Sequence, residues 1–154
     1  ANPDPEIMRL KYGKLILNTR NALHAICARS DGARAIGELA EKEAMACFEA
    51  AGIDFTDAAA LRQRRADMMA HGNVKGMARS GGSSWQSIMK GSGDIEADYL
   101  NGEIVLLGRL HGVPTPVNGA LQHMANDLAR NRGEAQSTPL AELEAQIEIE
   151  KSRN

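Results

Sequence analysis

Lys14, Asn18 and Asn21 are the first residues along the chain whose types can do chemistry. Spacings of four and three within a helical pattern put one cation and two amides on one side of one helix. Leu15, Leu17 and Ala22 flank them. A solvated stripe fits the pattern equally well. Two asparagines in mid-helix are poor helix formers, however, so something other than propensity should hold them there. Further on, the pair Ser83-Ser84 closes a glycine-rich stretch. Glu96 then sits in the first turn of a helical run that opens on Asp94. An ammonium, amides, a hydroxyl and a carboxylate are groups that can hold a small polar molecule and move a proton on it.

The elements that must position these groups read as helices throughout. Glu6 to Ala28 shows one long helical pattern, with Ile7, Leu10 and Leu17 and then Met8, Leu15, Ala22 and Ile26 at helical spacings. Ser30-Asp31-Gly32 reads as a turn before a helix from about Ala33 to Ala51. Its buried stripe is Ile36, Leu39, Ala40, Ala44, Cys47 and Phe48, with Glu38 and Lys42 as an exposed pair. Gly52 stands where a terminating glycine belongs. Thr56 or Asp57 can cap a helix from about Ala58 to Ala70, which His71-Gly72-Asn73 ends. Trp85 to Met89 is a short helical segment, broken by Gly91-Ser92-Gly93. Asp94 then caps a helix from Ile95 to His111 whose expected buried face is Ile95, Tyr99, Leu106 and Leu110. Gly102 and Gly108 lie inside that helix at a cost of up to about 1 kcal/mol each, which points to close packing or a ligand beside them. Thr115-Pro116 starts the next helix, with Val117, Leu121, Met124 and Leu128 as its stripe and Asn131 to Gly133 as its end. Thr138-Pro139 repeats the start signal before a short, acidic, peripheral helix from Leu140 to about Glu150. No segment alternates like a strand. The fold class is all-α, six or seven helices in one domain spanning residues 1–154.

Composition excludes several functions. The net charge is −2 and aromatics make up 3% of the chain, so neither a phosphate backbone nor stacked bases would find a partner surface. No apolar run is long enough to span a membrane, and no signal peptide is visible. Cys27 and Cys47 lack metal-ligand spacing and sit among apolar residues, as reduced buried thiols do, which favours a cytoplasmic setting. His24, His71, His111 and His123 are scattered without ligand spacing. The run Arg62 to Arg65 is short and isolated, as on a solvated face. The stretch Arg79 to Ser84 lacks the spacing of a phosphate loop, and no GxGxxG occurs.

Two stretches taken together resemble a known family. KYGKLILNTRNAL lies near the start; GSSW and then IEADYLNGEIVLLGRLHGVPTPVN come later. The serine pair, an acid at fixed distance, Tyr-x-Asn-Gly and Gly-Val-x-x-Pro-x-Asn are similar to the C-terminal helical domain of the ketopantoate reductases (2-dehydropantoate 2-reductases). The resemblance runs from about Met8 to Leu128. It implies a compact helical domain of the 6-phosphogluconate dehydrogenase C-terminal-like kind. It also implies an NADPH-dependent reduction of a small 2-oxo acid, ketopantoate to pantoate, on the route to pantothenate.

The roles implied by the resemblance follow residue by residue. Lys14 matches the catalytic lysine, the general acid at the ketone oxygen. Glu96 matches the acid that pairs with substrate and helps set the lysine's state. Asn18 and Ser84 match substrate-binding residues. Asn21, one residue short of the family's second asparagine, is grouped with them. Partial burial suits such a lysine because it moves the pKa towards working pH. Trp85 stands where methionine is usual, and Ile88 where many members carry aspartate. Family enzymes bind NADPH mainly through an N-terminal Rossmann domain. With no glycine fingerprint here, the chain is expected to be a piece of a larger protein, inactive alone. The alternative is a non-catalytic helical binding or dimerisation module, its apolar surface meeting the Rossmann partner or a second copy.

Overall fold

A computed structural model describes residues 6–57, 59–61, 63, 66, 84, 85, 88 and 95–153. Its elements are all helices: α1 (Ile7–Asn18), α2 (Arg20–Ile26), α3 (Asp31–Ala50), α4 (Ala97–His111), α5 (Pro116–Arg130) and α6 (Leu140–Arg153). Residues 59–61, 63, 66, 84, 85 and 88 are also helical. Asp57 is the residue that caps the segment after α3: its carboxylate accepts the N–H groups of Ala59 and Ala60. The remainder of that helix, Arg62, Arg64 and Arg65 of the basic run, His71, the Arg79–Ser83 stretch, Met89, the Gly91-Ser92-Gly93 break and the Asp94 cap lie outside the described residues.

The long first helix expected over Glu6 to Ala28 is interrupted at Thr19. This residue keeps helical dihedrals, but its hydroxyl donates to the Ile16 carbonyl at 2.7 Å and its N–H reaches the same carbonyl at 3.2 Å. Back-bonding of this kind withdraws a carbonyl from the helical ladder and bends the chain. The expected turn at residues 30–32 is a helix start. Ser30 is the N-cap of α3, its Oγ accepting from Ala33 N at 3.0 Å. Glu38 stands 3.8 Å from Arg34, rather than pairing with Lys42. Gly52 does end α3: at φ +66° it lets its own N–H reach Glu49 and the N–H of Ile53 reach Phe48.

α5 packs against α2, α3, α4 and α6, and the core falls into two clusters around this arrangement. One joins Leu23, Ile26, Leu121 and Leu143 with Ala22, Ala25, Ala40 and Ala120. The other gathers Ile16, Cys47, Phe48 and Ile104 between α1, α3 and α4, with Tyr12 edge-on to Phe48 at 5.3 Å. Burying a side chain such as Phe48 contributes roughly 1.5–3 kcal/mol, and the alanines let the helices approach closely.

Three expectations about faces are corrected. Leu39 is 47% exposed and not part of the α3 stripe. In α4 the buried residues are Ala97, Asn101, Ile104 and Gly108, whereas Tyr99, Leu106 and Leu110 face outward at 81%, 50% and 68% exposure. α6 is not peripheral: Leu143 and Ile147 enter the main cluster, because two apolar residues four apart suffice to bury one helical face. Gly108 is a close-packing glycine. A Cβ there would lie 2.6 Å from the Val113 carbonyl oxygen.

Candidate active site

Lys14 is exposed on α1, without the partial burial expected of it, and Asn18 is half-buried at the end of that helix. Asn21 is half-buried on α2, across the Thr19 break from them. None of the three makes a side-chain hydrogen bond among the described residues. Glu96 is the exposed N-cap position of α4, and its side chain does not cap that helix.

What joins these two elements is Asn101, five residues into the same run as Glu96. Its Nδ2 donates to the Thr19 carbonyl and to Asn118 Oδ1, each at 3.0 Å. Thr19, Asn101 and Asn118 are all fully buried or nearly so. Asn118 continues the network, its Nδ2 donating to the Ala40 carbonyl at 3.0 Å and to Glu43 Oε2 at 2.8 Å. Glu43 in turn accepts the N–H groups of Val117 and Asn118, both at 2.9 Å. Pro116 at N1 has no N–H to satisfy, and Thr115 occupies the N-cap position without a capping bond. Glu43 therefore supplies from α3 the cap that α5 lacks locally, with its charge at the positive end of the helix. Burial pushes the Glu43 carboxyl above its ordinary value, against the lowering effect of the Asn118 and Val117 donors and of Lys151.

Asn101 and Asn118 are the asparagines of Tyr-x-Asn-Gly and Gly-Val-x-x-Pro-x-Asn, to which sequence reasoning gave no role, and Glu43 is the residue it missed. A signal was available: an asparagine in a helix is unfavourable unless it has a partner, and the reasoning applied to Asn18 and Asn21 extends to Asn101. Asn118 lies 17 residues from Asn101, but the other partners lie 74 to 82 residues away and leave no local trace.

Ser84 is 1% exposed, and its Oγ has no hydrogen-bond partner; Asn101 Oδ1 is the other such buried atom among the described residues. Leaving a buried hydroxyl unpaired costs about 1–3 kcal/mol, which is the kind of cost kept where a group from outside completes the bond. Ile88, four residues on, packs into the main core cluster, and Trp85 is half-buried.

Other chemistry-bearing residues have structural partners. Cys27 and Cys47 are free, buried thiols. Burial, with a smaller push from Glu43, raises Cys47 to about 11. His123 Nδ1 lies 2.9 Å from Glu150 Oε1. Among the described residues no group of three or more His, Cys, Asp or Glu stands together as a metal site, and no helix is long and apolar enough to cross a membrane.

Residues 6–129 match the family described as ketopantoate reductase PanE/ApbA C terminal. Among solved structures, the chain is similar to a PanE/ApbA family ketopantoate reductase from Ralstonia eutropha JMP134. That match has 32% sequence identity and a TM-score of 0.62. It covers 79% of this chain and 41% of that one, so this chain spans well under half of the relative's length. No curated protein matches the chain.

Proposed function

The chain belongs to the ketopantoate reductase PanE/ApbA C-terminal family, and from that premise we propose that it is the substrate-binding and catalytic-acid side of an NADPH-dependent 2-oxo acid reductase, with ketopantoate as substrate. The single observation that carries the reading is the bond from Asn101 to Thr19. It ties the end of the Lys14–Asn18 helix to the helix headed by Glu96, the two stretches on which the family roles fall.

The chemistry assigned to each residue follows from its type. Reduction of a ketone puts negative charge on its oxygen. The Lys14 ammonium donates a hydrogen bond to that oxygen, stabilises the charge and passes it a proton. Asn18 and Asn21, whose amides have no side-chain hydrogen bond among the described residues, hold the polar groups of the substrate. The unpartnered Ser84 hydroxyl supplies a further bond. Glu96 orients the lysine and the substrate. Lys14 is exposed in this chain, so its enclosure comes from what closes over α1. NADPH, which provides the reducing equivalent, does not fit these residues: the sequence has no GxGxxG and the described residues no strand. We assign it to a Rossmann domain outside these residues.

The test is steady-state kinetics in the full-length protein. Asn18→Ala and Ser84→Ala should each raise KM for the oxo acid by about tenfold or more while NADPH affinity is kept. An unchanged KM in both variants contradicts the binding roles.

One observation favours a second reading, a docking module. Tyr99, Leu106 and Leu110 form an outward apolar stripe on α4, which would meet the Rossmann domain or a second copy of the chain. Light scattering of the isolated chain across concentration separates these occupants. Growth of a dimer supports a second copy, and a strict monomer excludes it.

A further inference from the structure

A cleft of about 540 Å³ opens between α2 and the start of α3. Lys14, Asn18, Asn21, Ser84 and Glu96 do not line it, and it is independent of the reductase reading. Its floor is apolar, with Leu23, Cys27 and Ala33 buried. Its walls carry three arginines against one acid, Asp31.

The arginines differ in how far they are committed. Arg20 is held by Glu41 through two bonds, at 2.6 and 3.0 Å, which fixes its guanidinium on the wall and leaves other N–H groups unused. Arg34 reaches Asp31 at 3.3 Å and Glu38 at 3.8 Å. Both contacts are solvent-exposed pairs of small worth, so Arg34 can be recruited elsewhere. Arg29 is exposed and forms no ion pair among the described residues. The first turn of α3, a helix of 20 residues, begins at the same mouth. Ser30 takes only the Ala33 N–H, so the N–H groups of Asp31 and Gly32 have no helical partner. His24, half-buried on the wall, is held below its ordinary pKa first by burial, then by Arg29 and Arg20. Three acids outside the lining act on the wall: Glu41 on Arg20, Glu38 on Arg34, and Glu142, which pushes up the Cys27 thiol after burial does.

We propose that this cleft is a binding site for a small organic anion, an oxyanion headgroup gripped by Arg29, Arg34 and the start of α3 with a short apolar body over Leu23, Cys27 and Ala33. Arg20 and Glu41 form the fixed part of the wall, and Arg29 and Arg34 the part that closes on the headgroup.

Calorimetric titration of the chain with hexyl phosphate, inorganic phosphate and hexanol tests both halves of the site. Hexyl phosphate should bind at least about tenfold more tightly than inorganic phosphate, and hexanol should not bind measurably. The double variant Arg29→Gln/Arg34→Gln, whose positions are exposed, should keep its melting temperature and lose about tenfold or more in affinity. The His24 ring, followed by NMR through a pH titration, should protonate at higher pH with hexyl phosphate bound, because the ligand's charge offsets the two arginines. Absence of hexyl phosphate binding at millimolar concentration overturns the proposal, as does binding that the double variant leaves intact or that leaves His24 unmoved.

Discussion

The side-chain amide of Asn101 donates to the backbone carbonyl of Thr19 across 82 residues of sequence, and both residues are completely buried. The bond falls at the one point where the first helical run is interrupted, so α4 grips the chain at its weakest joint. Replacing Asn101 by Ala would leave the buried Asn118 Oδ1 without its donor and take from the Thr19 carbonyl the bond it makes outside α2. Asn101→Ala should therefore cost about 2–4 kcal/mol, read as a lower urea midpoint at constant m-value. A loss below about 1 kcal/mol would show that the joint holds without it.

Glu43 carries a pH signature. Its carboxyl is raised above the ordinary value of 4.5 by burial, so folding favours its protonated form. The stability this contributes is fully present below 4.5 and is lost as pH rises through the raised folded value. Glu43→Gln cannot titrate. The variant should be less stable than wild type by about 1–3 kcal/mol in acid, and the difference should narrow towards neutrality. Denaturation series at several pH values give the comparison, and a gap that widens with pH contradicts the assignment.

The two glycines of α4 should respond to alanine in opposite ways. At Gly108 the new Cβ would meet backbone, the Val113 oxygen at 2.6 Å, as well as Thr115 Cγ2 at 2.7 Å. The α4–α5 connection would have to shift, and Gly108→Ala should destabilise by about 1–3 kcal/mol. At Gly102 the nearest atom is Gln122 Nε2 at 2.7 Å, the tip of a flexible side chain. Gly102→Ala should be near neutral or gain up to about 1 kcal/mol from helix propensity. Thermal melts of the two variants side by side decide it.

Cys47 should be chemically silent in the folded chain. Its Sγ lies 3.6 Å from the Ile104 carbonyl, and with its pKa pushed up to about 11 it is almost wholly protonated at neutral pH. The thiolate is the reactive form. A thiol-directed chromophoric reagent should label Cys47 only as fast as the protein opens, and at once in denaturant. Fast native labelling located at Cys47 by peptide mass would refute the burial argument.

These interactions divide into those a sequence carries locally and those it does not. The start at Thr115-Pro116 and the stop at Gly52 are written in single residues whose backbone preferences act over one turn, and both are where they were expected. The break at Thr19 was hidden because threonine tolerates a helix and only its hydroxyl's choice of the Ile16 carbonyl interrupts it. The face of α4 is not legible from the spacing of its large apolar residues, because these do not point inward. Ala97, Asn101 and Gly108 are small or polar, and they are buried because α4 approaches its neighbours closely there. Tyr99, Leu106 and Leu110 are left outside. For the candidate site, helical spacing made Lys14 and Asn18 visible, and the family pattern added Ser84 and Glu96. The network beneath them was not visible, since all but one of its bonds join residues far apart in sequence.

The most direct measurement of the central claim is turnover in the full-length protein with ketopantoate, followed by loss of NADPH absorbance, for wild type and Lys14→Ala. The account predicts that wild type turns over and that Lys14→Ala loses on the order of 10²–10⁴-fold in kcat with the Kd for NADPH nearly unchanged. A Lys14→Ala protein that reduces ketopantoate at the wild-type rate would contradict it.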